Sequence, residues 1–191
     1  MRGQKRMLLS FLNLRSPGLK FGPRKLALNS GQYAQACIMI QRFYFDTSVF
    51  GGVYDLEFDK TSVRLFEKVR LGQVICVYSD LSEGELFFAP DRVRIFFRDL
   101  PKEHLEIVKV SNEAINLART YIEENIVGKT SFADCLHIAL ATIHEVDILV
   151  SWNFKHIVNI YRIRGYNSVN LRLGYPMLEI RSPKDIINYE D

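Results

Sequence analysis

From Met39 onward, short runs of β-branched and aromatic residues alternate with segments of helical period, and this alternation constrains the fold more than any other feature. Ile40 to Phe45, Val74 to Tyr78, Ile148 to Ser151 and Met177 to Ile180 read as strands. The continuous apolar run at Val74 suits a strand covered on both faces. Lys60 to Leu71 places Val63, Leu65, Phe66 and Val69 near helical spacing and stops before Gly72. Ser82 to Ala89 and Asp91 to Leu100 read as two helical pieces separated by Pro90. Pro101 to Val108 adds a short helix before a strand-like turn into Ser111. Ser111 to Glu124, with Ser111 as N-cap, Ser131 to His144 and Phe154 to Arg164 are further helices, and Pro183 to Asn188 is a last helical turn. Strands spaced by helices need crossover connections. They imply an α/β chain of three layers, a mostly parallel sheet with helices on both faces.

Residues 1–38 do not follow this pattern. They hold seven of the 25 basic residues and no acid, which leaves 18 bases against 22 acids, a net of −4, for residues 39–191. Overall charge therefore supplies no nucleic-acid surface, and any RNA contact has to come from a local basic patch. The apolar stretch Met7 to Leu14 is broken by Ser10 and Asn13 and ends at Arg15 without a small-residue cleavage site, which argues against a secretory signal. Met39 opens the first strand. The expectation is that the natural product starts at or near it, with 1–38 a basic extension that is disordered or a mis-assigned start and 39–191 the domain. A composition 48% hydrophobic and 25% charged suits a globular chain, and no apolar run approaches the ~20 residues of a membrane span. Cys37, Cys76 and Cys135 are scattered and odd in number, the pattern of free thiols in a reducing cytoplasm.

In open parallel sheets, ligands bind at the carboxyl ends of the strands. Asp46, followed by Thr47 and Ser48, ends the first strand. Glu85 lies just past the second, Asp134 in the first turn of the helix from Ser131, and Asn153 just past Ser151. Each has an ordinary explanation: Asp46 as a turn cap, Glu85 as a solvated helix residue, Asp134 as the acid of a capping box with Ser131, Asn153 as a loop residue. Two observations outweigh these. The helix after Ser131 is apolar nearly all round, so a carboxylate on it is partly buried and needs a cation or donors. All four residues also share the ligand-binding side of the sheet. Clustered carboxylates repel one another, and an oxygen-only set suits Mg²⁺ or Mn²⁺ rather than zinc.

Four segments together resemble the PIN family of ribonucleases: Asp46-Thr47-Ser48; Tyr78 to Leu86 with its Glu85-Leu86 pair; Ser131-Phe132-Ala133-Asp134 heading an Ala-rich helix; and Val150-Ser151-Trp152-Asn153-Phe154-Lys155-His156. The resemblance spans about Ile40 to Ile187 and points to the VapC-like toxin branch. It implies a metal-dependent endoribonuclease in which Asp46, Glu85 and Asp134 are catalytic. These three would hold Mg²⁺ or Mn²⁺ with Asn153 at the edge, and Thr47, Ser48 and Ser151 would support the site or touch substrate. It also implies RNA as substrate, an antitoxin protein as partner and a homodimer, in the cytoplasm. The departure is Asn153, where many relatives carry a fourth Asp, which puts a second metal position in doubt.

Two other readings compete. A haloacid-dehalogenase-type phosphatase also ends a strand in Asp, but pairs it with an acid two residues later, where this chain has Ser48. A binding module that kept the fold and lost turnover is consistent with the missing acid. His137 and His144 read as core or boundary residues, and Lys155 and His156 as a loop or an RNA-contacting rim. Arg162 and Arg164 read as the cationic last turn of a helix ending before Gly165.

Overall fold

The computed structural model describes residues 39–188, so the expectation for residues 1–38 lies outside the described residues. Five strands, β1 (Gln41–Phe45), β2 (Val74–Ser79), β3 (Leu105–Val108), β4 (Ile148–Val150) and β5 (Glu179–Arg181), form one sheet in the order β3-β2-β1-β4-β5. Every pairing is parallel, with Tyr44 opposite Val77 on one side and Leu149 on the other.

The chain winds from β1 out to β3 through α1 (Thr47–Gly52), α2 (Asp59–Arg70), α3 (Asp80–Phe87) and α4 (Asp91–Arg98). It then crosses to β4 through α5 (Asn112–Glu123) and α6 (Phe132–Ile143), and reaches β5 through α7 (Ile160–Arg172) before ending in α8 (Pro183–Asn188). Alternation along β1 divides the core. Phe43 and Phe45 face α1, α2 and α4, while Tyr44 faces α5, α6 and α7. Because the connections after β1 and β4 leave in opposite directions, the topological switch point lies between their carboxyl ends, where such sheets bind ligands.

Local chemistry explains the element ends. Beyond α2, Gly72 takes φ +68°, and the Gln73 and Gly72 amides donate to Lys68 and Val69, which closes the helix in a Schellman turn. Ser111 caps α5 as expected, its Oγ accepting from the Ala114 amide at 3.1 Å.

Three expectations need correction. Pro101 to Val108 holds only one 3-10 turn (Lys102–His104) before β3, which pairs with β2. Helix α1, directly after Asp46, is an element the sequence reading lacked. Helix α7 begins six residues later than expected, because the Asn159 side chain accepts from the Tyr161 and Arg162 amides and caps it there. Arg162 and Arg164 thus lie in its early turns. Gly165 is interior, in a place where an added Cβ would sit 3.0 Å from Ile126. No helix among the described residues is long and apolar enough to cross a membrane.

Gly52 ends α1 beneath the chain's single tryptophan. A Cβ there would come 2.7 Å from both Trp152 Nε1 and Ser62 Oγ, which are themselves hydrogen-bonded at 2.9 Å. Gly52→Ala is expected to cost about 1–3 kcal/mol, as overpacking does in a filled interior. Denaturant unfolding followed by Trp152 fluorescence reads both the lost stability and the displaced indole.

Candidate active site

The carboxyl ends of β1, β2 and β4 bring the sequence-selected residues into one hydrogen-bonded cluster. Asp46 is the first residue past β1 and is only 6% exposed. Although it occupies the N-cap position of α1, its side chain caps nothing. Its Oδ2 instead accepts from Ser48 Oγ at 2.5 Å and Ser151 Oγ at 2.7 Å. Ser48 Oγ also accepts from the Trp152 amide, and Ser151 Oγ from the Asn153 amide. The two hydroxyls are therefore oriented by the β4 loop to donate to Asp46. The ordinary reading of Asp46 as a turn cap fails on this geometry.

Glu85 lies on α3, half-buried, its Oε2 accepting from Thr47 Oγ1 and from His137 Nε2 at 3.2 Å. Burial acts to raise its pKa. The hydrogen bond and charge of His137, with Thr47, outweigh that, and the net shift is downward. The neighbouring Glu83 is exposed, as a solvated helix residue should be.

Asp134 sits in the first turn of α6, but Ser131 makes no side-chain cap there, so the capping-box explanation is absent. Asp134 Oδ1 accepts from Asn153 Nδ2 at 2.9 Å. Burial raises its pKa, His156 opposes the rise, and the charge of Asp46 adds to it. That last contribution places the two carboxylates within electrostatic reach of each other.

Asn153 has an unambiguous orientation. Its Oδ1 accepts from the His156 amide at 3.0 Å, and since a backbone N–H only donates, the other end of the amide must be the NH₂ that faces Asp134. An aspartate here would lose that donor and face a like charge. Asn153→Asp is expected to lower the stability of the metal-free protein by roughly 1–2 kcal/mol, the lower end for a hydrogen bond to a charged group at a half-exposed site. Thermal denaturation in EDTA checks it.

The residue the sequence reading undervalued is His137. It is core, as expected, at 2% exposure. Its Nε2 nonetheless lies 3.2 Å from Glu85 and 3.7 Å from Asp46 Oδ1. Its Nδ1 is 2.8 Å from the buried Tyr44 hydroxyl. Burial pulls its pKa down, but the Glu85 hydrogen bond and the charges of Asp46, Glu85 and Asp134 outweigh it, and the net shift is upward. Two signals pointed here. His137 follows Asp134 by three residues, on one helix face, and Tyr44 precedes Asp46 by two, on one strand face. Lys155 is exposed on the loop after Asn153, and His144 caps the far end of α6.

Among the described residues, no three His, Cys, Asp or Glu side chains are already grouped as a metal centre. The donor chemistry nevertheless fits a hard divalent cation. Each carboxylate keeps one oxygen without a hydrogen bond among the described residues: Asp46 Oδ1, Glu85 Oε1 and Asp134 Oδ2. The donor set is oxygen-only, as Mg²⁺ and Mn²⁺ prefer.

No family model and no curated protein matches this chain. One similar solved structure is VapBC2 from Rickettsia felis bound to a DNA fragment from their promoter, 16% identical with a TM-score of 0.48, the match covering 74% of this chain and 98% of that one.

Proposed function

We propose that this chain is a PIN-type, metal-dependent endoribonuclease that hydrolyses RNA phosphodiester bonds, the toxin of a toxin–antitoxin pair. The observation that carries the reading is the acidic cluster itself. Three carboxylates from three separate segments are joined in one hydrogen-bonded network at the switch point of a parallel sheet, each held through one oxygen; of the others, Asp46 Oδ1 faces His137 Nε2 at 3.7 Å. The four motifs that resemble the PIN family supply the residues that meet there.

Asp46, Glu85 and Asp134 would hold Mg²⁺ or Mn²⁺, with Asn153 at the edge. A divalent ion there would lower the pKa of a water and offset charge gathering on the phosphoryl oxygens. The chain's own part is positioning. Ser48 and Ser151 hold Asp46, Thr47 and His137 hold Glu85, and Asn153 holds Asp134, each through one carboxylate oxygen. Substrate of this class is single-stranded or looped RNA, with an antitoxin protein as partner, a homodimer as the assembly and the cytoplasm as the site of action. Ser48, whose hydroxyl donates to Asp46, stands where the phosphatase reading would need a second acid.

A non-catalytic binding module is the second reading, favoured by one observation. His137 Nε2 already reaches into the acidic cluster from within, 3.2 Å from Glu85 and 3.7 Å from Asp46, so the carboxylates have a donor without a metal. Incubation with a mixed cellular RNA pool, in Mn²⁺ or Mg²⁺ and again in EDTA, separates the two. Cleavage lost in EDTA is the expected result. A folded protein that binds Mn²⁺ and cuts nothing would transfer the assignment to the binding module.

A further inference from the structure

We infer that Tyr44 and His137 are a positioning pair that aims Glu85, and through it the acidic cluster, from inside the core; this rests on the nuclease reading. Both side chains are buried where an apolar pair would pack without penalty, Tyr44 at 0% and His137 at 2% exposure. Burying two polar groups in such a place is costly unless each is hydrogen-bonded. Here every polar atom has a partner. Glu85 as a carboxylate only accepts, so the 3.2 Å contact requires the proton on His137 Nε2, which also points at Asp46 Oδ1, 3.7 Å away. Nδ1 is then free to accept from the Tyr44 hydroxyl at 2.8 Å. Tyr44 in turn lies 2.8 Å from Ser79 Oγ.

Ser79 is more than the end of this chain of bonds. It is the N-cap of α3, the helix that carries Glu85, its Oγ accepting from the Ser82 amide in a reciprocal capping box. Tyr44 therefore grips Glu85 twice, by its side chain through His137 and by the start of its helix through Ser79. The orienting hydroxyl stands on β1 two residues before Asp46, so one strand sets both acids. An oriented imidazole between carboxylates is the arrangement by which outer groups tune metal ligands, and losing one typically weakens metal binding 10–100-fold.

The test uses the full chain and four variants read in two ways: calorimetric titration with Mn²⁺ alone, and ring-nitrogen NMR of the histidines in the metal-free protein. His137 is expected to carry a proton on Nε2 at neutral pH. Tyr44→Phe removes one oxygen and is expected to fold and to bind Mn²⁺ about tenfold more weakly. His137→Leu is expected to lose more, and His137→Gln, whose amide NH₂ reaches toward the place of Nε2, to recover most of it. A packing role would rank these the other way, Leu above Gln. Glu83→Gln, on the exposed face of α3, is the unchanged control.

Wild-type affinity in folded Tyr44→Phe, or His137→Gln no better than His137→Leu, overturns the pair. A histidine bare at Nε2 does so too. Should His137→Leu not fold, Tyr44→Phe decides. A wild-type chain that binds no Mn²⁺ sinks the nuclease reading instead, and the ring-nitrogen spectrum then judges the pair alone.

Discussion

Asp46→Asn is expected to lower RNA cleavage by about 10³-fold, at the upper end of what a single preorganised electrostatic group contributes. The loss should exceed that of any other single substitution in the cluster. Asn keeps the shape and one accepting oxygen, so Ser48 and Ser151 retain a partner. The other end becomes an NH₂ facing His137 Nε2, where a carboxylate oxygen stood at 3.7 Å. A negative charge and a candidate metal ligand vanish together, while one source of repulsion on Asp134 also disappears. Folding should therefore survive, with the melting temperature close to that of the parent. Cleavage rate and thermal denaturation measured on the same preparation check it. Full cleavage by a folded Asp46→Asn chain would remove Asp46 from the chemistry.

Phe66→Ala should do the opposite, losing stability first and activity only in consequence. Phe66 is 1% exposed and packs on Phe45 at 5.2 Å, Phe50 at 5.1 Å and Phe96 at 4.9 Å between ring centroids. Truncating a buried phenylalanine costs about 3–5 kcal/mol, a large share of the roughly 5–15 kcal/mol that holds a domain together. These rings clamp α1 and α2 on β1, and α1 carries Thr47 and Ser48 toward the two acids. Urea unfolding of Phe66→Ala should show a lowered midpoint. Its cleavage should track the folded fraction, whereas that of Asp46→Asn should not.

Much of this arrangement was legible in the residues. The alternation that starts at Ile40 gave four of the five strands and the parallel, helix-covered sheet, because strand and helix periods are local. Strand ends then pointed to Asp46, Glu85, Asp134 and Asn153, and the structure links them in one hydrogen-bonded cluster. Less legible were facts set by distant partners. Tyr44 and His137 look like core residues because they are, and only the contact with Glu85, 52 residues away along the chain, shows what their polar atoms do. Helix α7 was misplaced because one local side chain, Asn159, sets its start, and because Gly165, which reads as a stop, is instead an interior residue against Ile126 in the loop after α5. β3 was missed as a ladder strand because four residues with one buried position carry almost no periodic signal until β2 is beside them.

The sequence distance across the cluster also governs when the site can exist. Asp46 and Ser151, in contact through a hydrogen bond, are 105 residues apart. At the roughly 5–20 residues per second of protein synthesis, that gap lasts on the order of 5–20 seconds. Until β4 has left the ribosome, Asp46 lacks a hydroxyl that orients it, and Asp134 lacks its amide. Were the proposed nuclease reading to hold, the message being translated would be the first RNA within reach. A strand order that seats β4 beside β1 would then keep the emerging chain from cutting it until the last of these contacts forms.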